Sequence, residues 1–206
     1  QSLVKEKKET ALIDLNELLQ HYSFWERKNP NGQVAIAINE RMAYVYVNDS
    51  NIKLTEVMNT LLHDERIDFI AWKDNETNYV ASPESTQTLT FSPNGPNVDA
   101  YNQSWSIDGD RTILDVTIND QGFVQYNHYP DALARLHGAL HSQEGSFIIV
   151  DAKPSYEFIG KHSHDHAGGG AHGSLHKVDS VVPLIVAGTD DKPTFNRLVD
   201  MKEWII

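Results

Sequence analysis

Cysteine is absent from the 206 residues, which excludes disulfides and thiolate metal sites. Any metal must then be held by histidine, carboxylate or hydroxyl groups. Long apolar runs are also missing: the longest, 181–188, is strand-sized and far short of a bilayer span. No basic, apolar leader opens the chain, so no signal peptide is read in it. Basic residues are outnumbered, with 17 Lys and Arg against 29 Asp and Glu and a net charge of −12. That balance argues against non-specific nucleic-acid binding, which works by cationic neutralisation of phosphates. No Gly-x-Ser-x-Gly elbow marks a serine hydrolase, and no glycine-rich loop followed by Lys and Ser/Thr cradles a phosphate. No internal repeat is seen. What remains is ordinary for a globular chain: 40% hydrophobic and 22% charged residues, enough for one domain or one domain with a small lobe.

Apolar residues Leu12, Leu15, Leu18, Leu19, Tyr22 and Trp25 recur at helical spacing, predicting a helix over 10–28 stopped by Asn29-Pro30-Asn31-Gly32. Two β-rich runs, 34–38 and 42–47, predict a hairpin with the three-residue loop Asn39-Glu40-Arg41. A second amphipathic helix carries Leu54, Val57, Met58, Leu61 and Leu62, and leads into a strand at 67–72. Across 75–127, short β runs at 78–81, 88–91 and 113–116 alternate with Pro, Gly and Asn turns. These read as a small antiparallel subdomain or lid, within which Tyr101 and Trp105 are candidates for a substrate pocket or for its core. Pro130 opens a helix with Ala132, Leu133, Leu136 and Leu140. Two nearly uninterrupted apolar stretches, 146–152 and 181–187, have the pattern of strands buried on both faces of an α/β sheet.

Between those stretches the chain is chemically distinctive. Five of the ten histidines, His162, His164, His166, His172 and His176, fall within fifteen residues, with Asp165 among them. Imidazole is a common zinc ligand, and a carboxylate often completes the set. The alternating trio His162, His164 and His166 lies on one side of an extended segment without enforced geometry. It reads as an accessory metal-binding stretch, or as a surface loop, rather than a catalytic centre. His172 differs, because it stands in a glycine-lined loop just before a predicted buried strand, where α/β folds place their sites. His137 and His141 are spaced i, i+4 but have no acidic partner in a metal-binding pattern, so they read, with His128, as surface-helix residues.

The string GGGAHGSLHKVDSVVPLIVAG (168–188) resembles the C-terminal signature of the alkaline phosphatase superfamily, and most of all its type I phosphodiesterase/nucleotide pyrophosphatase branch. YNQSWSIDGD (101–110), YPDALARL (129–136) and FIIVDAKPSYEFIG (147–160) are similar to family members in the same order. The resemblance implies a sheet flanked by helices, the C-terminal part of an alkaline-phosphatase-like α/β sandwich with 75–127 as a lid-like insertion. It implies two divalent metal ions, zinc being the expected metal, and a Thr or Ser nucleophile that attacks phosphorus in line. His172 is the position matching the last metal ligand of that family.

The other ligands of the family have no match here. His164-Asp165-His166-Ala167 contains Asp-His but lacks the following glycine of the family's Asp-His-Gly motif and stands elsewhere in the order. Gln1-Ser2, with Ile13-Asp14-Leu15-Asn16-Glu17-Leu18-Leu19 after a short variable stretch, resembles the segment C-terminal to Asp-His-Gly in family members. The expectation is a chain beginning just after that motif. The expected partners are a phosphoester or nucleotide-like substrate and the upstream half of the same polypeptide. Ser174 reads as a turn residue of the His-Gly-Ser motif rather than a nucleophile. Two other readings stand beside this one: a non-catalytic His-rich metal-binding or interaction domain, and a sulfatase or phosphomutase relative in the same superfamily.

Overall fold

The computed structural model describes residues 11–161, 163, 170–195 and 197–205. It is an α/β fold with mixed sheets. Among the described residues the first elements are strand β1 (Leu12–Asp14) and helix α1 (Leu15–Leu18), followed by β2 (Val34–Asn39), β3 (Met42–Val47), α2 (Leu54–Leu62), β4 (Ile67–Asp74) and β5 (Thr77–Ala81). Then come β6 (Leu89–Asp99), β7 (Ser104–Gly109), β8 (Val116–Ile118), β9 (Phe123–Tyr126), α3 (Ala132–His141), β10 (Phe147–Ala152), β11 (Glu157–Ile159), α4 (Lys177–Ser180) and α5 (Met201–Ile205).

Among the described residues the main sheet has nine strands in the order β2-β3-β10-β4-β5-β6-β9-β8, with β7 paired to β6. Its pairings are antiparallel apart from β6 with β9, and β1 and β11 form a separate parallel pair. β10 is buried at every position, as its unbroken apolar run predicts, because it lies between β3 and β4 with both faces covered. Phe147 and Ile149 pack toward α3, through Leu133, Leu136 and Leu140. Ile148, Val150 and Ala152 pack toward α2, through Val57, Met58 and Leu61. The two helices thus cover opposite faces of one sheet. Segment 75–127 supplies β5 to β9 and continues this sheet directly from β4.

Several expectations are corrected. The helix over 10–28 is a single turn among its described residues. Ile13 is fully buried in β1, Asp14 then accepts from the Asn16 and Glu17 amides to cap α1, and Trp25 donates its amide to Val34 on the edge of β2. The β2–β3 loop has two residues, Glu40 and Arg41, because Asn39 pairs with Met42, and Glu40 adopts φ 54° to close it. The run 113–116 is not one strand. Asp110 accepts from the Thr112 amide and hydroxyl, holding Arg111–Leu114 in a 3₁₀ turn, and β8 starts at Val116. Pro130 lies outside α3, which starts at Ala132 after Asp131 at φ 55°. The apolar run 181–187 forms no strand and is largely exposed.

Candidate functional site

The β2–β3 turn is the platform for the His172 segment. The Arg41 amide donates to the His172 carbonyl at 3.0 Å, and the His172 amide donates to Glu40 Oε2 at 2.5 Å. Glu40 Oε1 also lies 3.2 Å from His172 Nε2, so one carboxylate meets both the backbone and the ring of this histidine. Gly173 sits at φ +101°, and a Cβ there would collide with the Asn39 backbone oxygen. Glycine is required at this close approach of two backbones.

Behind His172 the backbone amides are held one after another. Ser174 N donates to Asp179 Oδ2, Leu175 N to Asp151 Oδ2, and His176 N to Ser174 Oγ. Lys177 N donates to the His128 carbonyl and Val178 N to His176 Nδ1. Arg41 completes the frame from below, with Nη1 on Asp179 and Nη2 donating to the Ala152 carbonyl. A turn so tied to the sheet presents the His172 ring, 65% exposed, from a backbone with little freedom.

The groups beneath this turn are electrostatically unusual. Burial pushes the Asp151 carboxyl up to about 7, while hydrogen bonds from Ser174 and the Leu175 amide oppose the rise. Among the described residues, Asp151 Oδ1 and Arg41 Nε are buried without a hydrogen-bond partner. Burial also raises Asp68, against the hydrogen bond that the Tyr129 hydroxyl donates to its Oδ2 at 2.6 Å. His176 stacks on His128 with centroids 5.4 Å apart and meets Tyr129 edge-on. Burial, followed by Arg41 and His128, lowers the pKa of His176.

Of the residues singled out by sequence, His172 and His176 lie on this turn. His162, His164 and His166 lie outside the described residues. Ser174 is buried and spends its hydroxyl and carbonyl on the turn. Trp105 belongs to the core and donates its Nε1 to Asp99 Oδ2, whereas Tyr101 carries Arg197 over its ring at 4.3 Å. His137 and His141 are half-buried and not simple surface residues. Their ring centroids are 4.1 Å apart, and the buried Asn78 side chain bonds both. Sequence reasoning misses Glu40, Arg41, Asp151 and Asp179. A charged pair in a tight hairpin turn marks Glu40 and Arg41, and a lone carboxylate near the end of a buried strand marks Asp151; Asp179 has no such signal.

Among the described residues, no group of three or more His, Cys, Asp or Glu is placed to hold a metal ion. His172 and Glu40 alone do not make the closed donor set that a divalent metal requires. Among those residues no helix is long and apolar enough to cross a membrane. No family model, curated protein or solved structure matches this chain.

Proposed function

We propose that this chain is the His172-bearing portion of a metal-dependent phosphodiesterase or nucleotide pyrophosphatase, with the nucleophile and most of the metal ligands supplied by residues outside these 206. The observation that supports it most is the pre-formed turn at His172. Its backbone is fixed by Glu40, Arg41, Asp151 and Asp179, as suits a ligand that must be aimed before metal arrives. Holding such a turn costs conformational entropy and leaves buried polar atoms unpaired. A plain surface loop needs neither. The resemblance of 168–188 to the phosphodiesterase signature adds the chemical class. Zinc is the expected metal, and a phosphoester or nucleotide-like molecule the expected substrate.

The test is zinc titration calorimetry with hydrolysis of bis(p-nitrophenyl) phosphate, on residues 1–206 and on the chain extended upstream along its own coding sequence. The expected result is hydrolysis and two-metal binding in the extended chain only, both lost on His172→Ala. The combined substitution of His162, His164 and His166 by Ala should leave activity largely intact. Two-metal binding and hydrolysis by residues 1–206 alone would overturn the proposal. Tight zinc binding by residues 1–206 that disappears with the triple substitution would favour the His-rich binding domain instead.

A further inference from the structure

Asn78 on β5 is fully buried, and both ends of its amide are engaged. Nδ2 donates to the carbonyl of Phe91, its partner on β6, at 3.0 Å and to His137 Nδ1 at 3.1 Å. Oδ1 accepts from His141 Nε2 at 3.2 Å. The Phe91 carbonyl can only accept, so Nδ2 and not Oδ1 must face it. That orientation fixes the protons on both imidazoles. His137 Nδ1 has to offer a lone pair, so the ring is neutral with its proton on Nε2. His141 Nε2 has to carry a proton, which it does in the neutral ring and in the cation alike.

The two rings therefore respond differently to acid. His141 can become a cation and keep its bond to Asn78. A proton on His137 Nδ1 turns the acceptor into a donor that faces another donor, and leaves a buried N–H of Asn78 unpaired. The ring centroids are 4.1 Å apart, so a second cation also meets the first at short range. Burial, followed by His141, lowers the pKa of His137 from the ordinary 6.5; Lys73 acts in the same sense and Glu76 opposes it. Of these charged groups, His141 shares the helix with His137, and Lys73 and Glu76 belong to the β4–β5 hairpin. Strand β7 contributes the uncharged ring of Trp105, edge-on to His137 at 6.1 Å.

Helix α3 lies on the sheet through Leu133, Leu136 and Leu140, contacts that pH does not touch. Its C-terminal turn is tied to β5 and β6 through Asn78. We propose that His137, His141 and Asn78 form an acid-release joint: neutral rings pin the end of α3 to β5 and β6, and a proton on His137 lets it go. The open joint takes up that proton more readily than the closed one. The joint is thus fully held above 6.5 and weakens as pH falls below it. Asp151 runs the other way, favouring the folded chain as pH falls, so the place where the chain loosens tells the two apart.

Imidazole nitrogen NMR of residues 1–206, with amide exchange at about pH 7.5 and pH 5.5 corrected for intrinsic rates, tests this. At the higher pH His137 should show a bare Nδ1 and a protonated Nε2. At the lower pH the Leu140 and His141 amides should exchange about tenfold faster relative to those in the centre of β10, the factor that one unpaired buried donor carries. His137→Gln keeps an acceptor but takes no proton, and should exchange slowly at both pH values. His137→Leu offers no acceptor and should exchange fast at both. A proton on His137 Nδ1 at the higher pH overturns the proposal. So does a wild-type ratio that ignores pH, or the same acid response in His137→Gln. If His137→Leu does not fold, the comparison of wild type with His137→Gln decides. None of these readouts involves His172, so the outcome is independent of the function proposed above.

Discussion

Arg41 Nη1 stands 2.6 Å from Asp179 Oδ2, with both side chains almost sealed from water, and the pair joins positions 138 residues apart. Removing one member leaves the other charge buried and uncompensated. Asp179→Ala should lower unfolding free energy by about 3–5 kcal/mol, read from urea denaturation. The double variant Arg41→Met, Asp179→Leu should be more stable than Asp179→Ala, because it removes both charges. If Asp179→Ala alters stability by only a few tenths of a kcal/mol, the pair is not buried as described.

Asp151 sets a pH dependence. Its folded-state pKa of about 7 exceeds the ordinary 3.8, so between those values the folded chain holds a proton that the unfolded chain has released. Stability therefore falls as pH rises from about 4 to 7 and levels off above that, by an amount on the order of 4 kcal/mol. Asp68, raised for the same reason, adds to the fall. Asp151→Asn should flatten the profile in urea titrations at pH 4 to 8. A wild-type profile that rises through this window contradicts the assignment.

Gly173→Ala asks a left-handed residue to place a methyl group against the Asn39 carbonyl. The turn must shift, at a cost of roughly 1–3 kcal/mol. Exchange of the Arg41 amide, which donates to the His172 carbonyl, should speed up while amides in the centre of β10 are less affected. Unchanged Arg41 exchange would mean that the two backbones are not in contact.

Asp99 is the hub of a separate network. One oxygen accepts from the Tyr101 and Gln103 amides, the other from Trp105 Nε1, the Tyr126 hydroxyl and Gln103 Nε2. Asp99→Ala strands several of these donors, and about 2–4 kcal/mol of stability should go with them. The indole N–H resonance of Trp105 reports the loss locally; an unmoved resonance would place Trp105 elsewhere.

Elements whose fate depends on local pattern are legible in sequence. The β2–β3 hairpin, α2, β4 and β10 each show the period of the structure they adopt, and β10 shows by its unbroken apolar run that both faces are covered. The segment 12–25 misleads because its leucines fit a helical period, while Ile13 is claimed by pairing with Phe158 across the chain. The run 181–187 has the residues of a strand, but among the described residues no strand lies beside it to pair with. At the site, the His-Gly-Ser run is visible because its three residues are contiguous in sequence. Its supports are not, because Glu40, Arg41 and Asp151 become neighbours of His172 only when distant strands assemble. Asp99 has one local sign, an Asx turn onto Tyr101.

The place of β10 between β3 and β4 has a consequence for how the chain is made. The two strands that flank it are complete by Asp74, yet the strand that joins them ends only at Ala152. During synthesis about 80 further residues must emerge before β10 can join the edges that β3 and β4 turn toward it, although β3 already pairs with β2 and β4 soon pairs with β5, a delay of several seconds at ordinary ribosomal speed. Throughout that interval β3 and β4 each present an apolar edge with free backbone groups, open to pairing with other nascent chains. Slower elongation, or a chaperone bound over residues 42–74, would thus matter more to the yield of this protein than to its final stability.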